Sequence, residues 1–180
     1  MTELVTDRLR MRHWTDADRE PFAAMNADEL VMEHFETPLD RAASDAWFDQ
    51  ISSSLDARGW GLWAVERSDD GEFLGFVGLA VPTIEAPFTP CVEIGWRLVR
   101  GAWGYGYATE AARAVAAHAF GVLGLSELVS FTTVANTRSR AVMERLGMRR
   151  DPADDFEYPR LPAGHPQRPH VLYRLAAPRP

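Results

Sequence analysis

The sequence predicts a mixed α/β or α+β fold, and three observations carry that expectation. Antiparallel strand candidates accumulate first, strands then alternate with helices, and a glycine-rich turn joins one strand to an alanine-rich helix. The 180 residues suit one domain, able to bury about 70% of its unfolded surface. With 46% hydrophobic and 25% charged residues the composition is that of an ordinary soluble globular chain.

The elements follow in order. Leu4, Arg8 and Met11 lie in "LVTDRLRMR", which reads as a first strand, and Thr15-Asp16-Ala17-Asp18 supplies a capping hydroxyl and early acids for a helix start. After Pro38-Leu39-Asp40, the residues Trp47, Ile51 and Leu55 recur at helical spacing until Gly59 stops the helix. Residues 61–66 (GLWAVE) and 72–81 (EFLGFVGLAV) form a hairpin through Ser68-Asp69-Asp70-Gly71. Residues 92–99 make a further antiparallel strand with Val92, Ile94, Trp96 and Leu98 on one face. A helix over 108–123, a strand over 128–134, a helix over 137–146 and a last strand over 171–175 complete the pattern. Residues 151–169 carry five of the twelve prolines and four acids, and read as a long loop, the kind that is usually functional or disordered.

Composition excludes several function classes. All 19 basic residues are arginine, so there is no Schiff-base or pyridoxal lysine and no Walker A lysine. A formal charge of −7 argues against a general nucleic-acid binder, and the arginines at 138, 140, 145, 149 and 150 read as a solvated helix face or phosphate contacts. The single Cys91 precludes an internal disulfide or a cysteine-built zinc site, and no metal is expected. Met1 to Arg12 lacks an apolar signal-peptide core, and residues 114–126 fall short of the roughly 20 needed to span a bilayer. The expectation is a cytoplasmic protein without a membrane partner.

The chemistry sits in Gly101-Ala102-Trp103-Gly104-Tyr105-Gly106-Tyr107-Ala108-Thr109-Glu110. Glycines let the backbone take positive φ and a ligand approach closely, while a helix start offers unpaired N–H groups and the positive end of its dipole. Together these make a pyrophosphate cradle. A dinucleotide site would need a third glycine where Thr109 stands and an acid at the end of the next strand, which runs out into Thr133-Val134-Ala135-Asn136. Glu127 stands before that strand, and the preceding strand alternates through Glu93 and Arg97 where a buried parallel strand would be continuously apolar.

With "TDRLRMR", "FLGFVGL", "EIGWRLVRGAWGYGYATEAARAVAAHAF", "NTRSRAVMERLGM" and the closing "HPQRPHVLYRL", the chain resembles the GNAT superfamily of N-acetyltransferases and its RimJ/RimL-like branch. The resemblance implies one N-acetyltransferase domain over 1–180 with a mostly antiparallel sheet of six to seven strands flanked by helices. A splayed central strand pair would hold acetyl-CoA. It implies that the loop residues Gly101, Trp103, Gly104, Tyr105, Gly106, Tyr107, Ala108 and Thr109 hold the pyrophosphate, and that Leu98 and Val99 pair with the pantetheine arm and supply the oxyanion donor. Asn136 and Ser139 would meet the pantetheine, and Arg145 the adenosine phosphates. The superfamily's Gln or Arg three residues before the first loop glycine is Gly101 here, and Arg100, one place off, is carried as the candidate for that pyrophosphate contact.

N-acetylation in a ternary complex needs a neutral amine, an oxyanion donor and an acid for the departing thiolate. The tyrosine that many members use as acid is replaced here by Met143, so Ser139 is the substitute candidate, and Glu93 is the candidate base. An α-amine of pKa near 8 is about one-tenth neutral at pH 7, against about 0.04% for a lysine amine, so the lack of an obvious strong base favours an α-amine or a similarly weak one. Met32, His34, Phe35 and Trp60 are candidates for the acceptor pocket, as are His165 and His170, with Asp151, Asp154, Asp155 and Glu157 able to attract a cation. Cys91 and His118 read as structural. The acceptor classes are a peptide N-terminus, a polyamine or an aminoglycoside-like amine; the alternative is a catalytically weak coenzyme A-binding sensor or interaction module. The sequence leaves the oligomeric state open, a homodimer included.

Overall fold

The computed structural model describes residues 2–178. It contains a nine-stranded sheet in the order β1-β2-β3-β4-β5-β6-β9-β7, with β8 attached to β9. The long strands are β2 (Leu9–Arg12), β3 (Leu62–Arg67), β4 (Phe73–Ala80), β5 (Glu93–Leu98), β6 (Glu127–Thr133) and β9 (Pro169–Ala176). Three two-residue strands, β1 (Leu4–Val5), β7 (Arg149–Arg150) and β8 (Phe156–Glu157), raise the expected six or seven to nine.

One of those extra strands comes from a turn that the pattern hid. The expected first strand folds back on itself, because the Thr6 hydroxyl accepts from Leu9 N–H at 3.1 Å while Thr6 N–H donates to the Leu9 carbonyl at 2.9 Å. β1 then pairs antiparallel with β2, Leu4 opposite Met11. The helix start at Thr15 is correct in place, but its first turn, Asp16–Asp18, is 3-10, with the Asp18 carboxylate accepting from Thr15 N–H at 2.8 Å before α1 (Arg19–Ala27) begins. α2 (Arg41–Arg58) is capped by Asp40, which accepts from Ala43 N–H, and ends at Gly59 with φ 73°. The late segment is a 3-10 turn at Pro152–Asp154, then β8, then turns into β9.

β3, β4 and β5 form an antiparallel meander whose close approach depends on glycine. A Cβ on Gly75, which sits at φ 131°, would lie 2.2 Å from the Arg97 carbonyl oxygen, inside any tolerable contact. α3 (Tyr107–Gly121) lays Ala111, Ala112, Val115 and Ala119 on the sheet, small residues that let helix and sheet come together. α1 and α2 bury Phe22, Phe48, Ile51 and Leu55 against the sheet through Trp14 and Phe76. Among the described residues no helix is long and apolar enough to cross a membrane.

The feature that positions the site is the seam between β5 and β6. These strands are parallel and pair only at Glu93 and Val129, where Val129 N–H donates to the Val92 carbonyl at 3.0 Å. Beyond that point β6 stays paired with β9 along its whole length, and β5 stays paired with β4. The two strands therefore part, as expected of the splayed pair, and open a wedge in the middle of the sheet.

Candidate active site

The wedge leads into a cleft of about 1980 Å³, lined by Gly95, Trp96, Arg97 and Leu98 on one side and Ser130, Phe131 and Thr132 on the other. That exceeds a usual small-ligand pocket of about 300–1,000 Å³, and leaves room for a long cofactor and an acceptor together.

At one end lies the glycine loop. Gly104 and Gly106 take φ of 84° and 82°, and Gly106 is the N-cap of α3 with no side chain to cap it. The first intrahelical bond is Glu110 N–H to the Gly106 carbonyl at 3.0 Å, which leaves the N–H groups of Tyr107, Ala108 and Thr109 without helical acceptors. The Trp103 indole pins the loop by donating to the Leu98 carbonyl at 2.9 Å, and Tyr105 stacks on Tyr107. All of Trp103, Gly104, Tyr105, Gly106, Tyr107, Ala108 and Thr109 line the cleft. So do Asn136, Ser139 and Arg145 of the α4 segment, α4 being Thr137–Arg145. The Asn136 amide is committed inside the protein, its oxygen accepting from Ser139 N–H at 3.1 Å and its nitrogen donating to Thr132 Oγ1 at 2.9 Å. Asn136 thus caps α4 and shapes the wall.

Three expected coenzyme contacts are placed elsewhere. Val99, Arg100 and Gly101 lie outside the cleft lining, because Arg100–Ala102 coils into a 3-10 turn that leaves Arg100 and Gly101 exposed. Val99 N–H is already bonded to the Leu74 carbonyl at 2.9 Å, so it is no oxyanion donor. Alternation along β5 turns the N–H groups of Trp96 and Leu98 to the opposite edge, the one that β6 vacates. The donors that face the wedge are therefore those of Leu98 and Trp96.

Arg145 is joined here by Arg138, expected on a solvated helix face or at phosphates, and by Arg8 and Arg113, which sequence reasoning missed. Arg8 lies over the Tyr107 ring at 4.7 Å, donates to the Tyr105 carbonyl at 3.1 Å and pairs with Glu110 at 2.5 Å. Arg138 lies over Trp103 at 4.4 Å and pairs with Glu33 at 2.8 Å, and Arg113 donates to the Arg145 carbonyl at 3.0 Å. Arg8 was visible only as a letter of a matched segment, and nothing local ties it to a loop almost a hundred residues away.

The other end is apolar and aromatic. Met32, His34 and Phe35 line it, together with Trp47, Phe76, Leu161, Tyr158 and His170. Trp60 does not; it packs beside Arg58 at 5.7 Å, away from the cleft, so its expected acceptor role is corrected. His165 is also outside the lining, its ring accepting from Gln167 N–H at 3.2 Å. The four late acids do not face an incoming cation either. Asp154 pairs with Arg174 at 2.7 Å, Asp155 with Arg150, Glu157 with Arg168 at 2.9 Å, and Asp151 accepts from Ala153 N–H. Each has found a partner on its own surface, and none lines the cleft.

Glu93 stands where β5 and β6 part. It is half-buried, without an ion-pair partner among the described residues, and burial pushes its carboxyl up to about 8. Tyr158, stacked on His170 at 4.9 Å, has its phenol raised mainly by burial, and the charge of Glu93 adds to the shift. His170 and His34 are both lowered, first by burial, and are neutral at pH 7. Met143 is 1% exposed and outside the cleft lining, so a tyrosine there would point into the core. Cys91 has a thiol pushed up to about 11 by burial and is no thiolate nucleophile at neutral pH. His118 is buried edge-on to Trp63, outside the lining.

A sheet split between two parallel strands, with a helix N-terminus and glycine loop at one mouth, is an arrangement suited to an extended ligand that ends in phosphates. Residues 8–149 match the family described as the acetyltransferase (GNAT) domain, and the chain belongs to that family of N-acetyltransferases. It is similar to an FsC-acetyl coenzyme A-N(2)-transacetylase of Aspergillus fumigatus, 40% identical over 106 residues, which are 57% of this chain and 43% of that one. An acetyltransferase structure from Agrobacterium tumefaciens superposes with a TM-score of 0.77 at 30% identity, covering 97% of this chain and 94% of the other. The structure of RimL, a ribosomal L7/L12 α-N-protein acetyltransferase in complex with coenzyme A, shares the fold with a TM-score of 0.78 at 15% identity, covering 98% of each chain.

Proposed function

We propose that the protein transfers an acetyl group from acetyl-CoA to a primary amine, an N-terminal α-amine or a small molecule, by direct attack within a ternary complex. The observation that carries this reading is the placement of Glu93: an unpaired carboxyl of raised pKa at the point where the sheet splits. The residues present fit acetyl-CoA. Three unpaired N–H groups at the start of α3 and the arginines at 8, 113, 138 and 145 suit its phosphates, and the vacated β5 edge suits the extended pantetheine.

When bound, acetyl-CoA supplies a thioester carbonyl as acyl donor. The N–H groups of Leu98 and Trp96 face the seam, where they stabilise negative charge gathering on a carbonyl oxygen. Glu93 removes the proton of the acceptor ammonium. A base of pKa about 8 is matched to an α-amine, also near 8, and is poorly matched to a lysine amine near 10.4. Ser139, half-buried on the first turn of α4 and lining the cleft, is the hydroxyl donor for the departing thiolate.

The test is thiol release with acetyl-CoA and an amine panel. Glu93→Gln should lower kcat/KM by about 10²- to 10⁴-fold. The position of Met143 in the core, where no tyrosine acid can act, favours a second reading, a coenzyme-binding module without turnover. That reading prevails if acetyl-CoA raises Tm and no amine releases thiol above the hydrolysis background.

A further inference from the structure

Arg97 is a buried cation without an anion. It is 8% exposed, on the same face of β5 as Glu93, and it lines the acceptor end of the cleft. Of its five N–H bonds, one reaches a protein acceptor among the described residues: Nη1 donates to Asn26 Oδ1 at 2.6 Å, and that amide in turn donates to the Ser44 hydroxyl. Nε is fully enclosed and meets no acceptor. Among the described residues no carboxylate lies within ion-pair distance of it, although an unpaired buried charge is among the costliest arrangements a fold can hold.

The surroundings compensate only its faces. The guanidinium carbon lies 4.0 Å from the Phe35 ring centroid, 4.8 Å from Trp47 and 5.5 Å from Phe76. Aromatic rings satisfy a guanidinium through cation–π contact and leave its in-plane N–H groups available. Phe35 is 42% exposed and comes from the loop between α1 and α2, so the ring that covers Arg97 from solvent is the one able to yield to a ligand. Between the two charged positions stands Gly95, and the Glu93 carboxyl leans over it: Oε1 lies 3.9 Å from where a Gly95 Cβ would be. A carboxyl and a guanidinium thus share one wall without pairing, and the gap between them opens to the cleft.

We propose that Arg97 anchors an anionic oxyacid group of the acceptor, which is a small amine carrying a carboxylate or phosphate, while Glu93 receives its amine. The inference rests on the acetyltransferase reading and narrows it. A zwitterionic acceptor gives Arg97 its missing anion and Glu93 an ammonium from which to take a proton, whereas a polyamine or aminoglycoside would bring Arg97 a second positive charge. Such an acceptor makes Arg97 a specificity residue rather than a base or acid.

The experiment compares ω-amino acids of one to four methylenes with their amides, and O-phosphoethanolamine with ethanolamine, by thiol release expressed per neutral amine in the wild type, Arg97→Met and Arg97→Lys. The wild type should prefer the anionic member of a pair by about 10- to 100-fold in kcat/KM, and in Arg97→Met the ratio should fall toward one. Arg97→Lys keeps the charge but loses the fork, and should restore part of the preference. Which pair shows it separates carboxylate from phosphate. A thermal shift by the matching N-acetylated product, seen in the wild type and lost in Arg97→Met, reads the site without turnover, and the shift by acetyl-CoA reports that the variants are folded. Neutral amines acetylated as well as anionic ones, or a loss in Arg97→Met equal for both, overturns the anion anchor and leaves the acetyltransferase standing. Product binding that depends on Arg97 with no transfer to any amine sinks the acetyltransferase reading and keeps the anchor. Neither transfer nor product binding overturns the anchor.

Discussion

At the glycine-loop end of the cleft two of the four arginines meet an acid: Arg8 pairs with Glu110 and Arg138 with Glu33. At the Glu93 end neither charged group has a counter-ion among the described residues, and the Arg97 guanidinium stands among aromatic rings. The first end is partly exposed and made of backbone N–H groups and long side chains, an arrangement for holding phosphates that remain in contact with water. The second is dry enough to move pKa values. The difference teaches where specificity resides, because a coenzyme common to a family can be held by backbone geometry, while discrimination among acceptors requires buried groups whose mispairing is costly.

The largest effect expected from breaking this contrast is at Glu93. Glu93→Gln should lower kcat/KM throughout and leave a pH profile set by the acceptor amine alone, since in the wild type the carboxyl must also lose its proton, near 8, before it can accept one; the coenzyme dissociation constant should not move. The same residue gives a stability signature. A carboxyl whose folded pKa exceeds its unfolded value stabilises most at low pH and loses that contribution as pH rises. The Tm of Glu93→Gln should therefore gain on the wild type between about pH 4.5 and about 8, and a difference independent of pH would refute the raised pKa.

Next comes a comparison of two shielded arginines. Arg12 bonds both Asp18 and Glu66, at 2.7 and 2.5 Å, whereas Arg97 has no acid. Arg12→Met should cost about 3 kcal/mol in denaturant unfolding because it strands two carboxylates, and Arg97→Met, which strands only the buried Asn26 amide oxygen, should cost about 1–2 kcal/mol. Equal losses would show that Arg97 is held by packing alone.

Gly106→Ala should weaken coenzyme binding by about 10-fold and lower stability by about 1–2 kcal/mol, because it forces a side chain into left-handed backbone at the cradle. Its effect on the ratio of anionic to neutral acceptors should be nil. The smallest expected change is at the roof of the cleft. Glu33 pairs with Arg138 and its carbonyl accepts from Gln167 at 2.7 Å, tying the α1–α2 loop to α4 and the late segment. Glu33→Gln should raise acceptor KM a few-fold with stability within about 1 kcal/mol, since an exposed ion pair contributes little.

Most of the fold could be read from the chain because periodicity and punctuation are local. The alternation Val92, Ile94, Trp96, Leu98, the stop at Gly59, and the glycines before an alanine-rich helix each act within a few residues. The short strands escaped notice because two residues have no period, and the Thr6 turn because its logic is a single hydroxyl. The cradle at Gly104 and Gly106 was legible for the same local reason. Tertiary structure alone decided the rest: that Val99 N–H belongs to Leu74 and the N–H groups of Leu98 and Trp96 to the wedge, that three of the four late acids answer their own arginines, and that Trp60 stands outside. It also placed Arg97, a plain strand arginine in the sequence, among three rings contributed by distant segments. Whether a charge has a partner is a property of three-dimensional neighbours, and no spacing along the chain encodes it.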